Sequence, residues 1–142
     1  MHNAQCTMHN WLRYDIGNNI IIMKEDNDNL IVQKSKAFAI RCVNLYKFLI
    51  DHKTEYVMSK QLLRCGTSIG ANVKEAMQGQ SKADFGAKMN IALKEANETE
   101  YWLEILSETG FLTQEQADSV LSDCREILKL LTSIVKSTFT NK

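Results

Sequence analysis

Proline is absent from the 142 residues, and glycine occurs only 6 times. Sandwiches and barrels need such breakers at their many turns, so an all-β fold is the least expected class. An excess of charge of one sign is missing too: 17 Lys and Arg stand against 17 Asp and Glu. No overall field marks the chain as a nucleic-acid or membrane binder, and any such role must come from local clustering. No apolar run has the length of a membrane span, and Ile20-Ile21-Ile22-Met23 is too short for a signal peptide's apolar stretch. Histidine is scarce, and the cysteines at 6, 42, 65 and 124 never form CxxC. Neither a zinc site nor a redox motif is spelled out, so the thiols read as reduced and mostly buried in a cytoplasmic protein. His2, Cys6 and His9 have ligand-like types but lack a further committed partner, so no metal or other cofactor is expected.

What is present is apolar residues at helical spacing, in four successive blocks within a length that suits one domain. Ile31, Phe38, Cys42, Leu45 and Leu49 predict a first helix from about 29 to 51. Leu62, Gly66, Ile69, Val73 and Ala76 form the seam of a second, closed by Gly79 in a left-handed C-terminal position. Ser81-x-x-Asp84 opens a third, whose seam runs Phe85, Met89, Ala92, Ala96, Thr99, Leu103 and Leu106 before Gly110 ends it. Thr113-x-x-Gln116 is a capping-box pattern that opens a fourth, with Ala117, Val120, Cys124, Ile127, Leu131 and Ile134 on one face. Short connections make neighbours antiparallel. The expected fold is therefore all-α, an antiparallel up-down-up-down four-helix bundle over residues 29–140 with a loosely attached N-terminal extension, 1–28. In that extension Trp11, Leu12, Ile16 and Ile20–Ile22 are candidates to pack on a neighbour. Gly66 and Gly70 each cost about 1 kcal/mol inside a helix relative to Ala, and close helix approach is the usual compensation.

Splitting the charge along the chain is more informative than its sum. Residues 31–70 hold seven bases against two acids, a net of +5, and residues 95–126 hold nine acids against Arg125, a net of −8. Helices one and two are basic, and helix three into early helix four is acidic. Lys34, Lys36, Arg41, Lys47, Lys60 and Arg64 form the candidate nucleic-acid face, with phosphates as the groups contacted. On helix two, Arg64, Ser68, Asn72 and Glu75 make a polar stripe about 120° from the apolar seam. On helix three, Ile91, Trp102 and Ile105 line up off the main seam with Glu95 and Glu98 between them. These nine residues are the candidate oligomer interface, because Trp is favoured at hot spots and large apolar patches are rare on monomers. A wider core contact for helix three explains the same line. Glu98 or Glu95 facing Arg64 across a contact is the first polar bond to seek.

Catalysis finds little support. A di-iron carboxylate bundle needs Glu-x-x-His on two helices, and none occurs; His2, His9 and His52 all lie outside the helices or at a loop. Neither Cys42, Cys65 nor Cys124 has a histidine within helical reach as a base. GxxxxGK[ST] and GxGxxG are absent, and Gly66-Thr67-Ser68-Ile69-Gly70 sits mid-helix where it cannot cradle a phosphate. The chain reads as no enzyme, with no small-molecule substrate and no membrane partner.

The stretch Gln61-Leu62-Leu63-Arg64-Cys65-Gly66-Thr67-Ser68-Ile69-Gly70-Ala71-Asn72-Val73-Lys74-Glu75-Ala76 is followed by Ser81-Lys82-Ala83-Asp84-Phe85, Ala92-Leu93-Lys94 and Asn97-Glu98-Thr99-Glu100-Tyr101-Trp102-Leu103. In combination these segments resemble the four-helix-bundle proteins related to those encoded in intervening sequences of bacterial large-subunit ribosomal RNA genes, the S23 ribosomal protein-like group. The resemblance covers roughly residues 24–138. It extends to the accessory subunit of diversity-generating retroelements, a homopentameric basic barrel that works with a reverse transcriptase and nucleic acid. The resemblance implies a small, noncatalytic cytoplasmic protein, a homo-oligomer and specifically a pentamer, with RNA or an RNA-processing protein as partner. Arg64, Ser68, Asn72 and Glu75 match its signature, as do Glu98 and Trp102, and they read as assembly determinants first. The neutral total and residues 1–22 depart from the retroelement subunit. The expected function is a noncatalytic homo-oligomeric accessory or scaffold factor associated with RNA. The alternative is a protein-only adaptor that docks a basic partner on its acidic third helix.

Overall fold

The computed structural model describes residues 18–140, with side chains from Asp26 onward. Four helices follow one another: α1 spans Asn18–His52, α2 Met58–Ala76, α3 Lys82–Glu108 and α4 Gln114–Thr140. No strand occurs among the described residues. Each helix packs on its neighbour in sequence, and α4 closes the ring against α1 along the thinnest of the four interfaces. This is the up-down-up-down bundle that the short connections predict. Ile31, Phe38, Cys42 and Leu49 of α1 meet Leu62, Ile69 and Val73 of α2 in one core, together with Phe85, Met89, Leu103 and Leu106 of α3 and Cys124, Ile127 and Leu131 of α4. Leu45 is only half-buried and packs on the rim of that core.

The helix expected from about residue 29 starts at Asn18. Asp26-Asn27-Asp28-Asn29 reads as a break, since Asp and Asn are poor interior helix residues. Asp28 is nevertheless buried, and tertiary packing carries the helix through the run. His2, Cys6, His9, Trp11, Leu12 and Ile16 lie outside the described residues, as do the side chains of Ile20–Ile22.

Of the four capping signals read at Gly79, Ser81, Gly110 and Thr113, three hold. Ser81 Oγ accepts from the Asp84 N–H at 3.1 Å. The box at α4 is reciprocal: Thr113 Oγ1 accepts from the Gln116 N–H at 3.1 Å, and Gln116 Oε1 accepts from the Thr113 N–H at 3.0 Å. Gly110 stands at φ +85°, with the Phe111 N–H bonded to the Leu106 carbonyl and its own N–H to that of Ser107. That pairing is a Schellman C-cap, which needs a left-handed residue. Gly79 is not left-handed. A Cβ there would lie 3.0 Å from the Ala76 carbonyl oxygen and 3.1 Å from the Phe85 nitrogen, so this glycine serves a tight crossing between helices.

Two glycines inside α2 face α1. A Cβ on Gly66 would run into Cys42 Sγ, and one on Gly70 would lie 3.2 Å from the Ser35 carbonyl oxygen. The close approach expected of them is real, and it sets α1 directly on α2. Gly86 plays the corresponding part between α3 and α4, where the Phe139 ring fills the space a side chain would take.

Candidate functional site

The α2–α3 face gathers most of the residues singled out from sequence. Arg64 rises from α2 and is held by two carboxylates of α3: Nη1 lies 3.3 Å from Glu95 Oε1, and Nη2 donates to Glu98 Oε2. Trp102, one turn beyond Glu98, donates its indole N–H to the same Glu98 oxygen at 3.1 Å. Guanidinium and indole together hold the Glu98 carboxyl below the usual carboxylate range, with the Arg64 hydrogen bond the larger cause. The same bond pushes the Arg64 guanidinium further up. The Arg64–Glu98 bond, sought across a subunit contact, instead joins two helices of one chain.

The rest of the stripe turns inward on its own helix. Ser68 Oγ donates to the Arg64 carbonyl at 2.6 Å, and Asn72 Nδ2 donates to the Ser68 carbonyl at 2.8 Å. Glu75 reaches α3 instead, with Oε1 2.9 Å from Lys88 Nζ. The apolar line on α3 divides. Trp102 is half-buried against the core and Ile105 is half-buried, whereas Ile91 is 39% exposed and the neighbouring Tyr101 54%. For Trp102 the wider core contact is the better description.

The candidate nucleic-acid face does not form one surface. Lys34 and Arg41, a heptad apart, turn toward α4: Lys34 Nζ is 3.5 Å from Glu126 Oε2, and Arg41 Nη1 is 2.5 Å from Asp123 Oδ2. Arg41 also donates to the Ser119 carbonyl and hydroxyl at 3.2 and 2.5 Å. Arg64 is committed to α3. Lys36, Lys47 and Lys60 are exposed and form no ion pair with a described residue. The −8 stretch is met from outside by Lys34, Arg41 and Arg64, while its own Arg125 pairs with Glu100 at 2.9 Å and Glu104 at 3.3 Å along the α3–α4 seam. The polarity along the sequence therefore resolves in part into ion pairs across the α2–α3, α3–α4 and α1–α4 seams, and none of these pairs joins α1 to α2.

Sequence reading missed Glu55. Its buried carboxylate accepts from the N–H groups of Val57, Met58 and Ser59 at 3.2, 3.1 and 2.7 Å, and its carbonyl accepts from Ser59 Oγ at 2.8 Å. It caps α2 from three residues before the helix, next to Thr54 at φ +49°, which turns the corner. An acid at a helix start was the available signal. The thiols of Cys42, Cys65 and Cys124 are buried and unpaired. Burial pushes Cys42 and Cys124 up to about 12 and raises Cys65 as well, the direction that favours the neutral thiol over the reactive thiolate.

Two grooves flank α1. One, of about 580 Å³, lies between α1 and the start of α4, with Leu45, Phe48, Leu112 and Val120 below and Arg41 and Asn44 at the rim. The other, of about 430 Å³, lies between α1 and α2. Among the described residues no cluster of His, Cys, Asp or Glu could hold a metal ion, and no helix is long and apolar enough to cross a membrane.

Fold and site together define a four-helix bundle whose main charged clusters, Arg64 with Glu95 and Glu98 and Arg125 with Glu100 and Glu104, tie one helix to the next. The family model of the 23S rRNA-intervening sequence proteins matches residues 27–133. The chain belongs to this family. A crystal structure of a protein with unknown function from the S23 ribosomal protein family of Bacteroides thetaiotaomicron is similar, at 62% identity and a TM-score of 0.76, over 78% of this chain and 98% of that one. No curated protein matches the chain.

Proposed function

We propose that the protein is a noncatalytic, cytoplasmic, homo-oligomeric scaffold that works with RNA or with an RNA-processing protein. The observation that carries the assembly is the exposure of Ile91 and Tyr101 beside the Arg64–Glu98–Trp102 cluster. Exposed large apolar side chains on the helix that carries a polar cluster are what a subunit contact uses. A pentamer is the form suggested by the resemblance. RNA is the partner class suggested by the family description. The adaptor alternative, with a basic partner on α3, is less supported, because Glu95, Glu98, Glu100 and Glu104 are already engaged by Arg64 and Arg125.

Light scattering at micromolar concentration tests assembly: an oligomer is expected, Ile91→Arg should reduce it to a monomer, and a wild-type monomer overturns the reading. A gel shift with a large-subunit ribosomal RNA fragment tests the partner. Binding that weakens steeply with salt is expected of phosphate contacts, and no shift at low salt removes RNA as a direct ligand.

A further inference from the structure

We propose that the groove between α1 and α2 is a docking site for an acidic amphipathic helix of another protein. α1 carries two apolar stripes. Ile31, Phe38, Cys42 and Leu49 enter the core, while Val32, Ala39, Val43 and Ile50 recur at the same heptad-like spacing about 100° around the helix. This second stripe stays half-buried, and Ile40 beside it is 55% exposed. Across the groove α2 presents Thr67, Gly70 and Ala71, whose small side chains leave the floor shallow enough for a third helix backbone to approach.

The rim supplies the charge. Lys36 stands on the α1 wall and Lys74 on the α2 wall, and no Asp or Glu lines the groove. Neither lysine forms an ion pair with a described residue. Lys47, three turns along the same side of α1 from Lys36, and Lys60 on α2 extend the basic rim. An apolar floor between two rows of lysines matches a helix with apolar residues at i, i+3, i+4 and i+7 and carboxylates on its flanks. Nucleic acid is a poorer match, because the lining has no aromatic ring for stacking and its floor offers phosphates nothing. A second copy is a poorer match as well, since Glu95, Glu98, Glu100 and Glu104, the carboxylates along the middle of its α3, are already engaged inside its own bundle.

The test is a titration of the full chain with a labelled 18-residue helix-forming peptide bearing a Leu/Ala stripe and Glu flanks, alongside a twin with Lys in place of Glu. Expected is saturable binding of the Glu peptide, at least tenfold weaker binding of the Lys twin, and at least tenfold weakening in Lys36→Glu/Lys74→Glu. Ala71→Arg, at an exposed position on the floor, should abolish binding while the circular dichroism melt stays unchanged. Equal affinity for the two peptides, or binding indifferent to the lysine pair, overturns the proposal. An RNA hairpin that binds where the peptide fails, and is lost in Lys36→Glu/Lys74→Glu, overturns it in favour of nucleic acid. An Ala71→Arg chain that turns from oligomer to monomer without any peptide binding overturns it in favour of a second copy. A monomeric wild type that still binds the Glu peptide leaves this inference standing and removes only the assembly reading.

Discussion

Gly66 of α2 lies against Cys42 of α1 so closely that a Cβ would collide with the thiol sulfur, and its distance to the Cys42 Cβ would be 3.0 Å. Gly66→Ala should therefore destabilise the bundle. Overpacking costs about 1–3 kcal/mol, and the better helix propensity of alanine returns about 1. Cys42→Ala removes the sulfur, so the double variant should lose less than the sum of the single losses. Chemical denaturation of the four proteins measures this coupling, and strict additivity would sink it.

Glu55 holds three N–H groups at the start of α2. Glu55→Ala should cost about 1–2 kcal/mol, as loss of a helix cap does, and Glu55→Gln should cost less because one acceptor oxygen remains. Urea midpoints for the wild type and the two variants decide the matter; midpoints equal to that of the wild type would show that the carboxylate is dispensable.

Arg64 and Trp102 both stabilise the ionised form of Glu98. A carboxyl with a lowered folded pKa contributes stability that is complete above the unfolded value, near 4.5, and is lost as pH falls through the folded value. Wild type and Glu98→Gln should thus differ at neutral pH and converge in acid. Both Arg64 and Glu98 are partly exposed, so solvent screening limits the coupling to under about 1 kcal/mol, smaller still in high salt. Carboxyl titration by NMR should move Glu98 upward in Arg64→Ala, and an unmoved midpoint would remove Arg64 as the cause.

Buried thiols make the opposite forecast. Cys42 and Cys124 are raised from 9.0 to about 12, so the stability they contribute is complete below 9 and declines as pH climbs toward 12. At pH 8 alkylation of Cys42, Cys65 and Cys124 should proceed only through opening of the bundle. Peptide mapping after timed iodoacetamide exposure checks this; fast labelling of any of the three in the folded protein would contradict it.

The seams were legible because a period near 3.6 with few breakers leaves little freedom in which face goes inside, and Phe85 through Leu106 on α3 are all buried as spaced. The start of α1 was not legible, because Asp28 sits in a run whose local propensity opposes the helix that packing imposes. Arg64 and Glu98 could be named as partners from charge and spacing, but whether the bond lies within or between chains depends on how α2 sits against α3. Glu55 escaped notice because its role depends on the corner at Thr54, where a β-branched residue adopts positive φ. The groove between α1 and α2 was equally hidden, since a second stripe on α1 acquires meaning only when the first is known to be filled.

The ring order of the helices has a kinetic consequence. Every interface but one joins elements adjacent in the chain, so most native contacts close short loops, and a bundle of such low contact order belongs among the fast-folding topologies. The contact of α1 with α4 alone spans the length of the chain, and it is the thinnest, laced by Arg41–Asp123 and Lys34–Glu126. This seam is the one expected to form last and to open first. Amide exchange should therefore find its lowest protection along the facing sides of the first and last helices.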